Sequence, residues 1–426
     1  MIQKPKGTYD LFGKQGKEIL YLENLIKALM EKYNYEYVRT PLFEARELFY
    51  RGVGETSDIV SKETYDFIDR GNRNLTLRPE GTAGVARSFI ENKLYGRPNL
   101  PVKCWYYGPM YRYERPQSGR FREFYQFGLE AFGTNDPLLD VEVISIVVNL
   151  YKLLGLKNLK VKINSLGDIE SRNNYHTILT EYLAKYISNL CPDCQKRFKK
   201  NPLRILDCKV DCNLDIIVNA PKTIDYLNET SLKHFELVKQ YLQDLNIDFI
   251  VDKQLVRGLD YYTHTVFEIA IDIKEIGAAN ILCGGGRYNN LISDIGGSKT
   301  PGVGVAIGME RLLQVLELEN IVLPVDDFID VYVMPLSFST KGYCLNLVQD
   351  LRMNGFIVDI DYMDRNFKSN FKQADRLHSK FIIMVGNDEI SNNILTVKDN
   401  EKKEQFKIKK NDIIDFLDER LNDIND

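Results

Sequence analysis

Apolar residues recur at three- and four-residue spacing through Ile19, Leu20, Leu22, Ile26, Leu29, Met30 and Tyr33, which predicts an amphipathic helix over residues 16–33. It runs into Tyr35-Glu36-Tyr37-Val38, a strand that Pro41 ends. From 65 to 132 the period shortens to two: TYDFID, LTLR, VKCWYYGPMYRYE and FREFYQFGLEAF read as strands, with one helical stretch near 81–93. Strands joined by hairpins predict an antiparallel sheet in an α+β domain. Residues 138–155 read as helix, and 160–254 alternate polar helices with a Cys- and Lys-rich patch that fits neither neighbour, so this stretch reads as an insertion. Strands return at Thr265–Ile271 and Ile281–Gly284, and VGVAIG leads into a helix over 309–319 that closes the first sheet.

Past Pro324 the pattern becomes strand (Val331–Met334), helix (339–354), strand (Phe356–Ile360), helix (368–377), strands (Phe381–Val385 and Ile394–Val397) and a last helix (411–421). That alternation predicts an α/β module with a mixed or parallel sheet. The boundary falls near 321–329, dividing the chain into a first domain over 1–325 and a second over 328–426.

Composition narrows the function classes. Of 426 residues 44% are hydrophobic, and 56 basic against 60 acidic residues leave a net charge of −4, which excludes binding to nucleic acid by bulk positive charge. The N-terminus has no apolar leader, and no run of about 18 apolar residues occurs, so the expectation is a cytoplasmic protein with no membrane partner. Seven cysteines are too few for a disulfide scaffold in so long a chain and point to reduced thiols or metal ligands.

Candidate chemistry begins with two strands. A period of two puts Tyr106, Gly108, Met110, Arg112 and Glu114 on one face of the first, and Arg122, Phe124, Gln126, Gly128 and Glu130 on one face of the second. The loop RPQSGRF between them carries a turn signal, so an antiparallel hairpin would line one concave surface with Arg112, Arg122, Gln126 and Glu130. Guanidinium forks suit the phosphate oxygens of a polyanion such as a triphosphate. The competing reading is a solvated sheet face with surface ion pairs.

In LTLRPEGTAG a strand gives way to a helix near Gly81, leaving Glu80 and Thr82 at the junction to bind an ammonium group or, for Thr82, simply to cap the helix. VRGLDYYTHTVFEIAI places Arg257 beside Gly258 in a tight bend, where backbone can approach a ligand, or where an arginine can rest on a surface acid. LCGGGRYNNLI lacks both the GxGxxG and the P-loop spacing, so its glycines are read as packing beneath a pocket, ahead of a helix. Arg311 falls in the first turn of the helix after VGVAIG and, by itself, reads as exposed. His264, in a Thr-His-Thr strand, reads as structural.

Taken together these segments resemble the histidyl-tRNA synthetases among the class II aminoacyl-tRNA synthetases, from KGTYD at 6–10 to the last helix. RGLDYYTHTVFE is the most specific match; the helix and strand ending at Arg39-Thr40-Pro41 resemble class II motif 1, MYRYERPQSGRFREFYQFGLEAFG motif 2 and GVGVAIGMERLL motif 3. The resemblance implies a six-stranded antiparallel catalytic sheet with flanking helices and a helical insertion, a C-terminal α/β anticodon-binding domain, and a homodimer. The activity it implies is ATP-dependent ligation of L-histidine to tRNA(His) through a histidyl-adenylate, with Mg²⁺ accompanying ATP.

By the same resemblance Arg112 would hold the α-phosphate, Glu114 and Phe124 would lie near the adenine, and Arg120, Arg122 and Arg311 would contact phosphates. Glu80, Gly81, Thr82 and Gln126 would surround the α-amino group of histidine, Glu130 and Tyr262 would read the imidazole, and Tyr261 and Tyr288 would line the pocket. Arg257 would sit between the histidine carboxylate and the α-phosphate, the main catalytic position together with Arg112. A different class stays open: a non-catalytic, histidine-sensing regulatory paralogue of ATP phosphoribosyltransferase, although such paralogues lack the anticodon-binding module.

Cys191, Cys194, Cys208 and Cys212, with two, thirteen and three residues between them, suit a structural tetrahedral Cys₄ zinc site or four reduced thiols. From Lys196 to Lys209 six basic residues (Lys196, Arg197, Lys199, Lys200, Arg204, Lys209) against Asp207 give 6 − 1 = +5, a patch that suits a tRNA acceptor stem or a solvated face. The chain from 328 onward carries 14 basic and 17 acidic residues, 14 − 17 = −3, so anticodon binding there rests on the resemblance. Unpaired bases can be read by stacking and edge hydrogen bonds without high net charge.

Overall fold

The computed structural model describes residues 1–54, 57, 59–116, 119–206, 208, 210–273, 280–325 and 327–422. The chain forms two compact units, one of residues 1–12 and 18–323, the other of 13–17 and 324 onward.

The strands of the first unit are β1 (Glu36–Tyr37), β2 (Phe43–Ala45), β3 (Tyr65–Ile68), β4 (Asn74–Leu77), β5 (Val102–Tyr111), β6 (Glu123–Phe132), β7 (Leu159–Ser165), β8 (Phe249–Val251), β9 (Thr263–Ile271), β10 (Ile281–Arg287) and β11 (Gly302–Gly308). Eight of them make one sheet in the order β1-β5-β6-β11-β10-β9-β7-β8. The six from β5 to β7 in that order are antiparallel throughout, and β1 and β8 add parallel edges. The expected hairpin is β5–β6, with Met110 opposite Phe124, Gly108 opposite Gln126 and Tyr106 opposite Gly128. Val85, Ala86 and Phe89 of the helix Thr82–Glu91 pack with Cys104, Tyr106 and Phe132 of this hairpin, the Phe89 and Phe132 rings 4.8 Å apart.

Two features depart from the sequence reading. First, β3 and β4 leave the large sheet and form a separate three-stranded sheet with β2, a strand too short to show a period. Second, the insertion is narrower than 160–254: β7 pairs with β9, and β8 pairs with β7, so both ends of that stretch belong to the large sheet. Lys160 and Lys162 disguised β7 as a polar segment; they reach Asp272 (2.7 Å) and Asp252 (3.1 Å) while Val161 and Ile163 point into the core. The separate core of the insertion lies between Tyr175 and Ala220 and includes Leu179, Leu183, Cys194, Ile205, Cys208 and Ile217. The Gly-rich run agrees with the reading: the strand expected over Ile281–Gly284 is β10, which continues to Arg287. A side chain at Gly285 would meet the Gly304 carbonyl of β11 at 2.4 Å and the Phe267 ring of β9 at 2.5 Å, so the glycine leaves the room that its two neighbouring strands take.

Arg287, at the end of β10, is fully buried with Asp140 of the helix Pro137–Leu153. Its Nε donates to both carboxylate oxygens (3.1 and 3.0 Å), and its Nη1 and Nη2 donate to the carbonyls of Thr134 (2.8 Å) and Asp136 (3.0 Å). So complete a set of partners makes this arginine a tie between sheet and helix. The His264 ring lies 5.1 Å from that of His234 behind it, and burial lowers its pKa to about 4, so it is neutral and structural.

In the second unit β12 (Val331–Pro335), β13 (Val358–Ile360), β14 (Phe381–Val385), β15 (Ile394–Asp399) and β16 (Gln405–Lys409) form a mixed sheet in the order β13-β12-β14-β15-β16. β12 runs parallel to β13 and β14, and β15 antiparallel to β14 and β16. Alternation along β12 separates two layers. Val331 and Val333 face Leu347, Val348 and Leu351 of the helix Lys341–Met353 and Leu417 of the helix Ile413–Asn422; Tyr332 and Met334 face Ala374 of the helix Phe367–Arg376. β16, with only two apolar residues among five, escaped the sequence pattern. No helix among the described residues is long and apolar enough to cross a membrane.

Candidate active site

One cavity of about 670 Å³ opens over the large sheet in the first unit. Its wall brings together Glu80, Thr82, Arg112, Glu114, Arg120, Phe124, Gln126, Arg257, Tyr261, Tyr262, Tyr288 and Arg311, residues spread over more than 230 positions of sequence.

Arg112 leaves the end of β5, donates Nε to the Pro79 carbonyl (2.8 Å) and lies 5.2 Å over the Phe124 ring. Glu114 takes Arg120 at 3.2 Å and Arg112 at 3.9 Å. Arg257 pairs with Glu268 and lies 5.6 Å over the Tyr262 ring. A side chain on Gly284 would come within 2.0 Å of its guanidinium, so the glycine of β10 makes the room that Arg257 occupies. Arg311 is no free surface residue; its Nη1 donates to the Ile281 carbonyl at 2.7 Å.

Among the described residues, the buried polar atoms of cavity-lining side chains that have no hydrogen-bond partner include Gln126 Oε1, Arg257 Nε and Arg311 Nε; Arg204 Nη2 is a further one, ion-paired with Asp260. Orphaned buried atoms are costly, and here one acceptor and two cationic donors are left waiting in the same cavity.

At the junction of β4 and the following helix, the cap is the reverse of the one expected. The Glu80 carboxylate accepts from the N–H groups of Thr82 and Ala83, each at 2.8 Å, and so caps the helix Thr82–Glu91. Thr82 does not cap; its hydroxyl donates to Glu130 at 2.7 Å. Burial raises the pKa of Glu80.

Glu130 is fully buried one layer below the cavity wall, where Thr82, Tyr288 and Tyr106 (3.5 Å) hold its oxygens. Burial pushes its pKa up to about 8 despite those hydrogen bonds. The Tyr106 ring fills the space that side chains on Gly81 and Gly128 would take, 2.2 and 2.3 Å from the ring, so the room left by Gly128 goes to that tyrosine. Gly81 itself is not on the wall.

One expected contact is corrected. Arg122 is not among the cavity residues: its Nε donates to the Glu114 carbonyl (3.3 Å), its guanidinium lies 4.1 Å over Tyr113, and its stem fills the space beside Gly7. Facing the same way as Phe124 is not enough, because the hairpin end curls toward residues 7–9. Its role is to brace that end.

Two wall residues escaped the sequence reading although both lie inside quoted segments. Glu268 lies in β9 within RGLDYYTHTVFE, and Glu310 in the first turn of the helix Met309–Leu318. Glu310 in fact accepts from the Tyr9 hydroxyl and from the Tyr125 N–H (2.7 Å), and burial raises its pKa.

The cysteines are also rearranged. Among the described residues, the group that could hold a metal ion is Cys191, Cys194, Cys208 and Asp211; Cys212, the fourth expected ligand, is not in it. The chain turns tightly after Cys208, with the Cys212 N–H on the Cys208 carbonyl at 2.9 Å, and this turn carries Asp211 inward. In the basic patch, Lys196, Lys199 and Lys200 are exposed, but Arg204 is buried on Asp260, and Asp207 and Lys209 lie outside the described residues.

The buried Glu130 has a consequence for stability. With a folded pKa of about 8 against an ordinary 4.5, the folded chain holds a proton that the unfolded chain has already released. Its contribution is greatest below pH 4.5 and is lost as pH rises through about 8. Glu130→Gln should therefore unfold at a rising denaturant midpoint relative to the parent as pH goes from 5 to 9; an unchanged difference across that range would contradict the assigned shift.

Comparison with known proteins then decides the lineage. A family model described as Histidyl-tRNA synthetase matches residues 7–312, and one described as Anticodon binding domain matches residues 330–420. The chain belongs to the histidyl-tRNA synthetase family. A Histidine--tRNA ligase of Geobacillus sp. (strain WCH70) is 50% identical over 419 residues, covering 98% of this chain and 99% of that protein. Another, of Anoxybacillus flavithermus, is 52% identical over 93% of this chain and 94% of its own length. The crystal structure of apo S. aureus histidyl-tRNA synthetase superposes with a TM-score of 0.85 at 41% identity, covering 98% of this chain and all of that one. Family membership accounts for the six-stranded antiparallel core and for the second, mixed-sheet unit.

Proposed function

We propose that this protein ligates L-histidine to tRNA(His) in two steps on ATP. The observation that carries the proposal is that Gln126 Oε1, Arg257 Nε and Arg311 Nε are without hydrogen-bond partners on residues that line one cavity together with further arginines and Glu80. A triphosphate and an amino acid supply the missing partners: anionic oxygens for the two guanidinium groups and an ammonium for the amide oxygen.

In the first step a histidine carboxylate oxygen attacks the α-phosphorus of ATP, an acyl–phosphate bond forms, and diphosphate leaves. The attacking group is already ionised near pH 7, so no general base is required, and the barrier is the approach of two anions. Arg257 and Arg112 meet that need from either side of the cavity, with Arg120 and Arg311 for the outgoing phosphates and Phe124 with Glu114 for the adenine. Arg122 is left out of this group, since it braces the hairpin. Glu80, Thr82 and Gln126 receive the α-ammonium. Tyr262 and Glu130 read the imidazole, Glu130 being reached past the Tyr288 hydroxyl that it now holds, with Tyr261 beside them. Bound with ATP, Mg²⁺ would offset the triphosphate charge, and the wall carboxylate of Glu310 would be the residue to hold it, in exchange for its contact with Tyr9. In the second step a ribose hydroxyl at the tRNA terminus attacks the acyl carbon and AMP leaves.

The second unit would read the anticodon. Phe338, Tyr362 and Phe367 stand 57–85% exposed there, large rings on which unpaired bases can stack. A homodimer belongs to the same proposal: Leu42, Phe43, Phe67 and Ile68 leave an apolar face open around the β2-β4-β3 sheet. The protein would work in the cytoplasm, where its substrates are. The regulatory-paralogue reading is not favoured, because the chain carries the second unit and the arginines of the first. The experiment that tests the proposal is amino-acid-dependent exchange of labelled pyrophosphate into ATP in the absence of tRNA.

A further inference from the structure

We propose that Cys191, Cys194, Cys208 and Asp211 bind one zinc-type divalent ion, and that this cross-link holds Arg204 and Asn201 on Asp260 at the edge of the cavity. The donor atoms of the four side chains lie within 4.8 Å of one another. The Cys191 and Cys208 sulfurs are 3.7 Å apart, and Zn–S bonds of about 2.3 Å in a tetrahedron give an S···S edge of about 3.8 Å. Cys194, Cys208 and Asp211 are all at most 4% exposed, so the ligand atoms already sit out of water.

The surroundings fit a metal-bound thiolate. The N–H groups of Val210 and Asp211 both point at the Cys208 sulfur at 3.4 Å, and the Cys191 N–H donates to Asp211 at 3.0 Å, so donors already face the charge that two of the ligands would carry. Three soft thiolates with one carboxylate select zinc over magnesium or calcium. Four protein ligands leave no open position, which makes the site structural. A staple suits this part of the chain, since the insertion core is small and the described residues between 185 and 223 form short turns and helices.

What the staple holds is specific. Between Cys194 and Cys208 lie Asn201, whose Nδ2 donates to Asp260 at 2.9 Å, and Arg204, whose Nε donates to the same oxygen at 3.0 Å and whose Nη2 lies 2.9 Å from it. Asp260 directly precedes Tyr261 and Tyr262. Cys191, Cys208 and Arg204 line the same cavity as Arg257 and Tyr262. The metal would thus fix both ends of a segment that positions the tyrosine pair; Arg204 is a positioning residue.

The metal half stands without the proposed activity, while the kinetic half rests on it. Full-length protein purified from zinc-supplemented cells should carry about one zinc per chain by elemental analysis. Chelated protein titrated with Co²⁺ should show the visible bands of a tetrahedral ion and thiolate charge transfer. Cys212→Ser should keep the metal, and Cys194→Ser should lose it. Protein with neither zinc nor the Co²⁺ spectrum, a Cys191–Cys208 disulfide in place of metal, or Cys194→Ser retaining the parent content would overturn the site. In histidine-dependent exchange, chelated protein and Arg204→Ala should both raise KM for histidine on the order of tenfold with kcat much less changed. Unchanged KM on metal removal would overturn the positioning role, whereas no exchange by the metal-loaded parent would strike the proposed activity and leave the metal result standing.

Discussion

Arg257→Ala is expected to slow histidyl-adenylate formation by about 10²–10³, the usual cost of removing one preorganised donor from a site where negative charge gathers. Arg257 is built for that position. Glu268 and the Tyr262 ring fix its plane, Gly284 gives it room, and its Nε is left without a partner. Histidine should still bind, because the ammonium and imidazole contacts belong to other residues, so single-turnover adenylation should fall far more than histidine affinity. Arg257→Lys should recover only part of the loss, since one ammonium cannot span a carboxylate and a phosphate as a planar fork does. Equal loss of binding and chemistry would assign Arg257 to ground-state binding alone, and an unchanged rate would remove it from the mechanism.

Glu130→Gln is expected to give the largest loss of selection. A site that hydrogen-bonds a polar side chain can reject a substrate lacking those groups by about 10⁴–10⁵, because the wrong side chain leaves buried partners unpaired. Glu130 can act in this way because burial is complete and every neighbour on it is a hydroxyl donor. Exchanging the acid for an amide keeps the volume and removes the ionisable acceptor. The kcat/KM ratio of histidine to glutamine in pyrophosphate exchange should fall by about 10²-fold or more. A ratio equal to that of the parent would place imidazole recognition on the tyrosines.

Much of this site was legible where the chemistry coincides with a simple period. The β5–β6 hairpin followed from alternation and a Gly-containing turn; of the four residues expected on its concave surface it brings Arg112 and Gln126 to the cavity wall, while Glu130 lies beneath it and Arg122 outside it. Arg257 beside Gly258 left two readings equally open, an arginine resting on an acid or one meeting a ligand, and only the family resemblance of RGLDYYTHTVFE pointed to the second. What stayed hidden depends on contacts across long sequence separations. Nothing local shows that Arg204 meets Asp260, that Tyr9 meets Glu310, or that Arg287 meets Asp140, 147 residues away. Thr82 and Glu80 exchanged roles because capping is decided by which side chain reaches back to the first N–H groups, and the acid does. Asp211 replaced Cys212 in the thiol cluster for a similar reason: ligand spacing along the chain says how close two residues can come, while the turn decides which one faces inward. The lysine-rich β7 shows the limit of hydropathy one strand in from a sheet edge, where long charged side chains cover a strand whose alternate residues are core.

The central claim is that one cavity activates histidine on ATP. The most direct measurement is exchange of labelled pyrophosphate into ATP by the whole protein, without tRNA, with histidine and with each other amino acid in turn. Exchange with histidine and none above background with the others is the result expected. No exchange from folded protein that still binds histidine would contradict the account and return the chain to the histidine-sensing reading.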